Sequence, residues 1–474
     1  MKALGVNPYL PSWEYIPDGE PYVFGDRVYI YGSHDRFNSY VYCLNDYVCW
    51  SAPVDDLGNW RYEGVIFRRT DEPENTDGSA CLFAPDVAQG PDGRYYLYYV
   101  LNSLSVVSVA VCDTPAGKYE FYGYVHYEDG QRLGEKKGDE PQFDPGVLVE
   151  NDQVYLYTGF CGIGDKNRSG AMATVLDSDM ITIKQAPVFI VPSEPYSNGS
   201  GFEGHEFFEA PSIRKKGDTY YFVYSSIQMH ELCYATSTDP IHGFKYGGVI
   251  ISNNDLGIDS YKPADLPMNY GGNNHGSIIE IAGEWYIFYH RHTNGTNYSR
   301  QVCAEKIEIL ADNSIPQVEL TSCGLNGGPL PGKGTYETYI ACNLFCSHTN
   351  PYTGSMGDNG LWMNSEFPKI TQDGRDGDEE PGYILNMTES ATAGFKYFDC
   401  RDIEKITIRV RGYCSGVFEV KSSWDGEKLG VIPIGFSSEW KEYTGSVEIP
   451  DGVCSLYFTY RGFGSAAFAS FTLA

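Results

Sequence analysis

The chain is 474 residues long, which predicts two or three domains, and 42% of its residues are hydrophobic, enough for packed cores. It contains no run of about 18 apolar residues, so we expect no membrane-spanning segment and no membrane partner. The net charge of −29 repels the phosphates of nucleic acids, and we therefore expect no nucleic-acid partner.

The N-terminus and the cysteines indicate the compartment. The first 20 residues, MKALGVNPYLPSWEYIPDGE, contain one lysine and no apolar stretch long enough for a secretory signal. The 13 cysteines are scattered, without CxxC pairs or the Cys/His spacing of zinc sites. Both observations predict a cytoplasmic protein with reduced thiols.

Short alternating runs bounded by turn residues dominate the first 310 residues, and five of them have the shape of an aromatic-rich hairpin. They read PYVFGDRVYIYGSHD, APDVAQGPDGRYYLYYV, DPGVLVENDQVYLYTG, EAPSIRKKGDTYYFVYSS and HGSIIEIAGEWYIFYH. Their second strands align at intervals of 59 to 67 residues on Tyr29, Tyr96, Tyr155, Tyr221 and Tyr286. Repeats of this length predict the blades of a five-bladed β-propeller in an all-β protein.

A polar residue precedes each aligned tyrosine by 10 to 12 positions: Asp18, Asp86, Asp144, Glu209 and His275. Radial repetition places equivalent positions around one axis, so these side chains are expected to surround one end of the central channel. A single acid at a strand start could instead cap a turn, but the same position in all five repeats favours a functional ring.

These motifs together resemble glycoside hydrolase family 43 over about residues 7–316. In YIPDGEPYVF, Asp18 takes the place of the family's general base, although Asp-Gly replaces the usual Asp-Pro and Glu20 is a competing carboxylate. FDPGVL gives Asp144 the role of the residue that modulates the acid's pKa and orients it. FFEAPSI gives Glu209 the role of general acid.

The other motifs of the resemblance imply substrate-binding residues. FAPDV supplies Phe83 and Asp86, NNHGSII supplies His275, and SRQVCAEKIEI supplies Arg300 as a donor to sugar hydroxyls. Core packing explains Phe83 equally well. For His275 three interpretations stay open: it lines the pocket, holds a structural calcium ion in the channel, or only hydrogen-bonds within its blade. The chemistry itself requires no cofactor.

Hydrolysis with inversion needs one carboxylate to activate water and one protonated carboxyl to protonate the leaving oxygen, on opposite faces of the sugar. An ionised Asp18 and a protonated Glu209 would meet this requirement. Negative charge on Asp144 would disfavour ionisation of Glu209 and so raise the pKa of the acid.

The repeats end near residue 316, and the Gly- and Pro-rich SCGLNGGPLPGKG is typical of a linker. Because alternating runs return beyond it, we predict a propeller over 1–320, a linker over 321–334 and a β-sandwich over 335–474. The sandwich resembles carbohydrate-binding modules of family 6, and it either binds sugar or only braces the propeller. Trp362 and Trp424 are candidate stacking residues, with structural roles favoured for both.

The resemblance implies an exo-acting enzyme that removes terminal α-L-arabinofuranosyl residues from oligosaccharides derived from plant polysaccharides. β-D-Xylosidase is the alternative, since both activities occur in the family. Retaining fructan-cleaving propellers match less well. Those enzymes resemble one another in an early Asn-Asp-Pro-Asn-Gly stretch and a Glu-Cys acid motif, whereas this chain has Pro-Asp-Gly-Glu and Glu-Ala. A non-catalytic sugar-binding propeller is the third possibility, but it would tolerate the loss of a carboxylate, and all three positions are occupied.

Overall fold

A computed structural model describes residues 3–347, 364 and 366–474. The first part of the chain forms five consecutive antiparallel sheets, in which each strand pairs with the next along the chain. Blade one contains Glu20–Phe24 (β1), Arg27–Tyr31 (β2), Tyr47–Pro53 (β3) and Arg61–Phe67 (β4). Blade two contains Asp86–Gln89 (β5), Tyr95–Tyr99 (β6), Ser108–Cys112 (β7) and Glu120–Tyr124 (β8).

The next three sheets continue the pattern. Blade three contains Gly146–Glu150 (β9), Gln153–Thr158 (β10), Gly170–Leu176 (β11) and Ile183–Pro192 (β12). Blade four contains Phe207–Lys216 (β13), Thr219–Ser226 (β14), Glu231–Ser237 (β15) and Lys245–Ser252 (β16). Blade five has three strands, Ile278–Ile281 (β17), Glu284–His292 (β18) and Arg300–Ile307 (β19).

The aligned tyrosines lie on the second strand of each blade, which confirms the repeat. Tight turns join the first and second strands, and their residues tolerate positive φ. Asn151 and Asp152 have φ values of 50° and 62° in the turn of blade three. Ala282 and Gly283, at 52° and 87°, form the turn of blade five.

The five sheets close into a ring, which confirms the predicted five-bladed propeller. Five buried apolar clusters lie between sheets, and each joins two neighbouring blades, the last joining blade five to blade one. A parallel bridge between Gly19 and Gly276 links the starts of the same two blades. At the free edge of β19, the Asn7 side-chain amide donates to the Ala304 carbonyl and accepts from the Ala304 N–H, each at 2.9 Å.

The C-terminal part is a sandwich of two six-stranded sheets around one apolar core. One sheet contains Leu330–Pro331 (β20), Asn343–Cys346 (β22), Ala391–Cys400 (β25), Cys414–Lys421 (β27), Lys428–Ile434 (β28) and Gly452–Gly464 (β30). The other contains Gly334–Glu337 (β21), Lys369–Thr371 (β23), Tyr383–Met387 (β24), Lys405–Gly412 (β26), Ser437–Ser446 (β29) and Ala466–Leu473 (β31). β20 therefore begins inside the segment predicted as a linker.

The helices among the described residues are short. They are 3₁₀ helices of three residues, at Arg69–Asp71, Pro73–Asn75, Glu194–Tyr196, Gly324–Asn326 and Thr338–Ile340. Within the residues that the structure describes, no helix has the length and apolar character needed to cross a membrane.

The sandwich packs on the propeller through polar contacts. The Trp424 indole N–H donates to the Tyr261 carbonyl at 3.1 Å, so this tryptophan has the structural contact that the sequence favoured. Trp362, the other candidate, lies outside the described residues. Lys396 of β25 pairs with Asp255 at 3.4 Å and with Glu319 at 2.7 Å.

Candidate active site

A cavity of about 310 Å³ lies where the first strands of the blades begin. All five blades contribute to its wall, through the residues that precede or begin those strands. Its lining includes Asp18, Phe83, Asp144, Glu209 and His275, one residue from each blade in order. The predicted ring of side chains thus exists, except that blade two contributes Phe83 and not Asp86.

The backbone at the three carboxylates is unusual. Asp18 and Asp144 have positive φ values of 58° and 43°, a left-handed conformation that aspartate tolerates better than most residues. Glu209 lies between two shifts of register in the pairing of β13 with β14, and Ala210 after it has a φ of 65°. Bulges and strained residues turn side chains out of the regular sheet and are concentrated at functional sites.

Asp18 is ionised near neutral pH. Burial alone would raise its pKa, but the Arg300 guanidinium, His290 and His275 lower it well below the usual range. Arg300 Nη1 donates to Asp18 Oδ1 at 3.0 Å, and His290 Nδ1 lies 3.3 Å from the same oxygen. The cavity therefore contains one carboxylate that keeps its negative charge.

Arg300 is held rigidly by Asp35, a residue that the sequence analysis missed. Its Nε and Nη2 atoms donate to the two Asp35 carboxylate oxygens, each at 2.9 Å, and both side chains are buried. Asp35 Oδ1 also accepts from the Cys43 N–H at 3.0 Å. The Tyr42 ring covers the guanidinium at 4.7 Å. The only sequence signal for Asp35 was its position just after the aromatic strand of blade one.

Glu209 and Asp144 retain protons more readily than ordinary carboxylic acids. Burial and the negative charge of Asp18 raise the pKa of Glu209 to about 7, against the opposing effects of Arg300 and Asn273. Burial, Glu209 and Asp18 raise the pKa of Asp144 well above its usual range. Because each of the two disfavours ionisation of the other, the pair holds a proton where an isolated carboxyl would lose it.

His275 is a neutral imidazole near neutral pH, because burial lowers its pKa to about 4. Its Nδ1 lies 3.7 Å from Asp144 Oδ2 and 3.9 Å from Asp18 Oδ1, and its Nε2 lies 3.9 Å from Glu20 Oε1. A calcium ion takes six to eight oxygen ligands. A cation beside His275 and Glu20 would therefore take most of its ligands from water.

Glu20 and Asp86 are buried and do not line the cavity. The Glu20 carboxylate accepts from Arg214 Nη2 at 2.7 Å and from the Ser212 hydroxyl at 3.1 Å, so it is bound to blade four. Asp86 is fully buried, and its Oδ2 accepts from the Val147 N–H of blade three at 2.7 Å. The expectation that Asp86 binds substrate is therefore corrected: its carboxylate joins two blades.

A row of phenylalanines forms the apolar wall of the cavity. Phe83, Phe143, Phe160 and Phe208 follow one another with ring-centroid separations of 5.7, 5.3 and 5.2 Å. Of these four residues, only Phe83 was predicted from the sequence. A signal for two others was present, since Phe143 directly precedes Asp144 and Phe208 directly precedes Glu209. Apolar faces of this kind pack against the C–H faces of sugars.

Comparisons with known proteins identify the family. The model of glycosyl hydrolases family 43 matches residues 15–315. A xylosidase/arabinosidase of Thermoclostridium stercorarium is 72% identical over 473 residues, which cover 100% of this chain and 99% of that protein. A xylosidase/arabinosidase of Bacteroides ovatus is 27% identical over 348 residues, 66% of this chain and 97% of that protein.

Solved structures agree in fold. A family 43 arabinoxylan arabinofuranohydrolase from Bacillus subtilis, in complex with cellotetraose, has a TM-score of 0.52 at 20% identity and covers 99% of this chain and 97% of that one. The RS223 β-xylosidase has a TM-score of 0.52 at 26% identity, over 65% of this chain and 96% of that one. With the family model matching 15–315 and a relative aligned over the full chain, this protein belongs to glycosyl hydrolases family 43 and is a glycosidase.

Proposed function

We propose that the enzyme is an inverting, exo-acting glycosidase that removes terminal α-L-arabinofuranosyl residues from plant-derived oligosaccharides. One observation supports the inverting mechanism most directly. Two carboxyl groups face the same cavity with opposite proton affinities: the pKa of Asp18 is lowered, and that of Glu209 is raised to about 7. An inverting glycosidase needs this division between a base and an acid.

The roles follow from the surroundings of each group. Asp18, ionised beside Arg300, takes a proton from a water molecule as that water attacks the anomeric carbon. Glu209 gives its proton to the leaving glycosidic oxygen from the other face of the sugar. Asp144 accepts from the Ala210 N–H at 3.3 Å, so it is positioned beside the acid and modulates its pKa. No covalent bond to the enzyme forms.

Substrate is bound by the remaining cavity residues. Arg300 and His275 offer hydrogen bonds to sugar hydroxyls, and the row of phenylalanines beginning at Phe83 covers the sugar's apolar face. A volume of about 310 Å³ is at the lower end of the range for ligand pockets, about 300–1,000 Å³. This size suits a terminal sugar and part of its neighbour, which supports exo action.

β-D-Xylosidase activity is the second candidate. The relative that is 72% identical is named a xylosidase/arabinosidase, so its name covers both sugars. The two sugars can present similar hydroxyl arrangements to one pocket. A single active site acting on both is consistent with this similarity.

Two measurements test the proposal. Initial rates on nitrophenyl α-L-arabinofuranoside and nitrophenyl β-D-xyloside identify the sugar, and we expect the arabinofuranoside to react faster.

Proton NMR of the first-formed sugar should show the inverted anomer, because the base activates water directly. Inversion also predicts about 6.5–9.5 Å between the Asp18 and Glu209 carboxyl groups in a substrate complex, against about 5–5.5 Å for retention. A retained anomer would refute the mechanism, and absence of hydrolysis would favour a sugar-binding propeller.

A further inference from the structure

Three different metal-ligating side chains meet in blade four, outside the cavity described above. These are His205, Glu231 and Cys233, which we call the His205 cluster. His205 Nδ1 lies 2.6 Å from Glu231 Oε1, Cys233 Sγ lies 3.4 Å from the same oxygen, and the sulfur and the nitrogen are 3.9 Å apart. In the described part of the chain, no other three His, Cys, Asp or Glu side chains bring ligand atoms within 4.8 Å of one another.

The fold holds the three side chains in place. Glu231 and Cys233 are the first and third residues of β15, so their side chains point to the same side of the sheet. His205 comes from the segment that precedes β13. Its ring stacks on Tyr246 of β16, with centroids 5.0 Å apart and an interplanar angle of 14°. The Ser226 hydroxyl donates to Glu231 Oε1 at 2.5 Å and orients that carboxylate.

We propose that the His205 cluster binds a zinc ion. Thiolate, imidazole and carboxylate are all zinc ligands, and bonds of about 2.0–2.3 Å in a tetrahedral site place ligand atoms roughly 3.3–3.6 Å apart. The two distances from Cys233, at 3.4 and 3.9 Å, are close to this range. The metal takes the place of the proton between His205 and Glu231 and of the thiol proton that Cys233 donates to the same carboxylate oxygen, so zinc binding releases protons to water.

The cluster is also accessible. The His205 side chain is 34% exposed, whereas that of Glu231 is only 6% exposed and Cys233 is buried. A hydrated ion can therefore enter from the side of His205 and keep a water molecule as its fourth ligand. Calcium and magnesium prefer oxygen ligands, so the thiol and the imidazole select against them.

Zinc at this position would connect the segment before β13 to β15. That segment continues directly to the proposed acid, since Glu209 follows His205 by four residues. The Tyr224 hydroxyl already donates to the His205 carbonyl at 2.7 Å. Because a metal that binds only the folded state stabilises it, zinc should raise the Tm of the protein.

Cobalt spectroscopy tests the proposal on the full-length protein after chelator treatment and dialysis. We expect one equivalent of Co²⁺ to give the visible bands of a tetrahedral site and a near-ultraviolet sulfur-to-cobalt charge-transfer band. Cys233→Ser should abolish the charge-transfer band, and His205→Ala should weaken binding of both Co²⁺ and Zn²⁺. Ser226→Ala removes the partner of the ligating carboxylate and should lower affinity about 10- to 100-fold.

Matched controls exist for two ligands. Cys303→Ser changes another buried thiol, and His242→Ala changes an exposed histidine that also faces an acid, Asp239, at 3.3 Å. Both variants should bind cobalt as the wild type does and should keep the zinc-induced rise in Tm. A wild-type protein without the charge-transfer band, or a band that persists in Cys233→Ser, would overturn the proposal. If Cys233→Ser fails to fold, His205→Ala provides the test, because His205 is partly exposed and its substitution should be tolerated. An unchanged zinc affinity in His205→Ala would also overturn the zinc-site proposal.

Discussion

The propeller and the sandwich are both built from antiparallel strands, but they treat charge in opposite ways. The propeller buries many charged side chains, namely Asp18, Glu20, Asp35, Glu72, Asp86, Asp144, Glu206, Glu209, Glu231, Asp255, Lys262, Arg300 and Glu305. In the sandwich, over the described residues from 335 onward, Lys396 is the single buried Asp, Glu, Lys or Arg. Burying a charge costs free energy unless it is paired. Four of these propeller residues, Asp18, Asp144, Glu209 and Arg300, line the cavity, whereas the sandwich has an apolar core.

Lys396 also shows what the sandwich contributes. Its ammonium group points out of the sandwich to Asp255 and Glu319, and it lies 3.7 Å from the centre of the Tyr261 ring. The sandwich thus has its buried charge at the contact with the propeller. This difference predicts that substitutions of the charged residues that line the cavity change the reaction, whereas those in the sandwich change stability or the position of a loop.

The largest effect is expected for Asp18→Ala. Loss of the base should lower kcat by about 10²–10⁴-fold, because the attacking water is no longer deprotonated. Added azide, a small nucleophile that needs no base, should restore part of the rate. Asp26→Ala, in the exposed turn after β1, is the control and should leave kcat unchanged. Near-normal rates for Asp18→Ala together with an inactive Glu20→Ala would transfer the role of base to Glu20.

The loss of kcat in Glu209→Ala should depend on the leaving group of the substrate. Without the proton donor, substrates with a sugar leaving group should lose about 10²–10⁴-fold in kcat. An activated nitrophenyl glycoside should lose much less, because its phenolate leaves with little protonation. Comparing kcat for an oligosaccharide and an aryl glycoside measures the difference. Equal losses on both substrates would argue against Glu209 as the acid.

Lys396→Met tests the contact between the two parts. It leaves Asp255 buried without the cation it pairs with, and breaking a buried pair costs about 3–5 kcal/mol in the free energy of unfolding. Urea denaturation measures this change, and kcat of the folded enzyme should be unaffected. Lys428→Met is the control, since its ammonium group pairs with Glu419 at 3.0 Å on the surface, and such a pair is worth about 0–1 kcal/mol. Similar losses in both variants would show that burial of the Lys396 pair is unimportant.

Asp144→Asn should shift the pH profile. The acid must be protonated to act, so activity falls as pH rises through the pKa of Glu209, which is raised to about 7. Asp144 and Glu209 share the proton that the pair retains, since burial, Glu209 and Asp18 raise the pKa of Asp144 well above its usual range, and asparagine cannot take part in this sharing. The alkaline limb of kcat/KM against pH should therefore move to lower pH. An alkaline limb that stays in place would show that Asp144 does not affect the pKa of the acid.

The sequence predicted the blades well because each is a local hairpin with a recurring aromatic strand, as Tyr29 and Tyr286 show. It also pointed to Asp18, Asp144 and Glu209, which lie 11 or 12 positions before the aligned tyrosines and which the structure brings together in one cavity. It failed for Asp86, at an offset of 10, because such an offset does not determine whether a side chain points to the cavity or to the neighbouring blade. Asp35 was missed because its role arises from a contact with Arg300, 265 positions away in the sequence.

The smallest effect concerns a contact from the sandwich to the wall of the cavity. Asp376 Oδ1 accepts from the Phe37 N–H at 2.7 Å, and its Oδ2 accepts from Asn45 Nδ2 at 3.1 Å. These two residues flank the loop that carries Tyr42 and Cys43, both on the cavity wall. Asp376 is therefore expected to position that loop, although it touches neither substrate nor catalytic groups.

Asp376→Asn keeps the shape of this side chain but weakens its two hydrogen bonds. Since a hydrogen bond contributes about 0.5–1.5 kcal/mol, KM should rise about 2- to 10-fold while kcat stays unchanged, because the loop forms the binding wall and holds no proton donor. Asp378→Asn is the matched control, since the Asp378 carboxylate accepts only from the Arg375 N–H within its own loop, at 2.7 Å, among the described contacts. Equal changes in KM for both variants would mean that KM depends on the conformation of the sandwich loop as a whole. The contact of Asp376 with the propeller would then have no specific role.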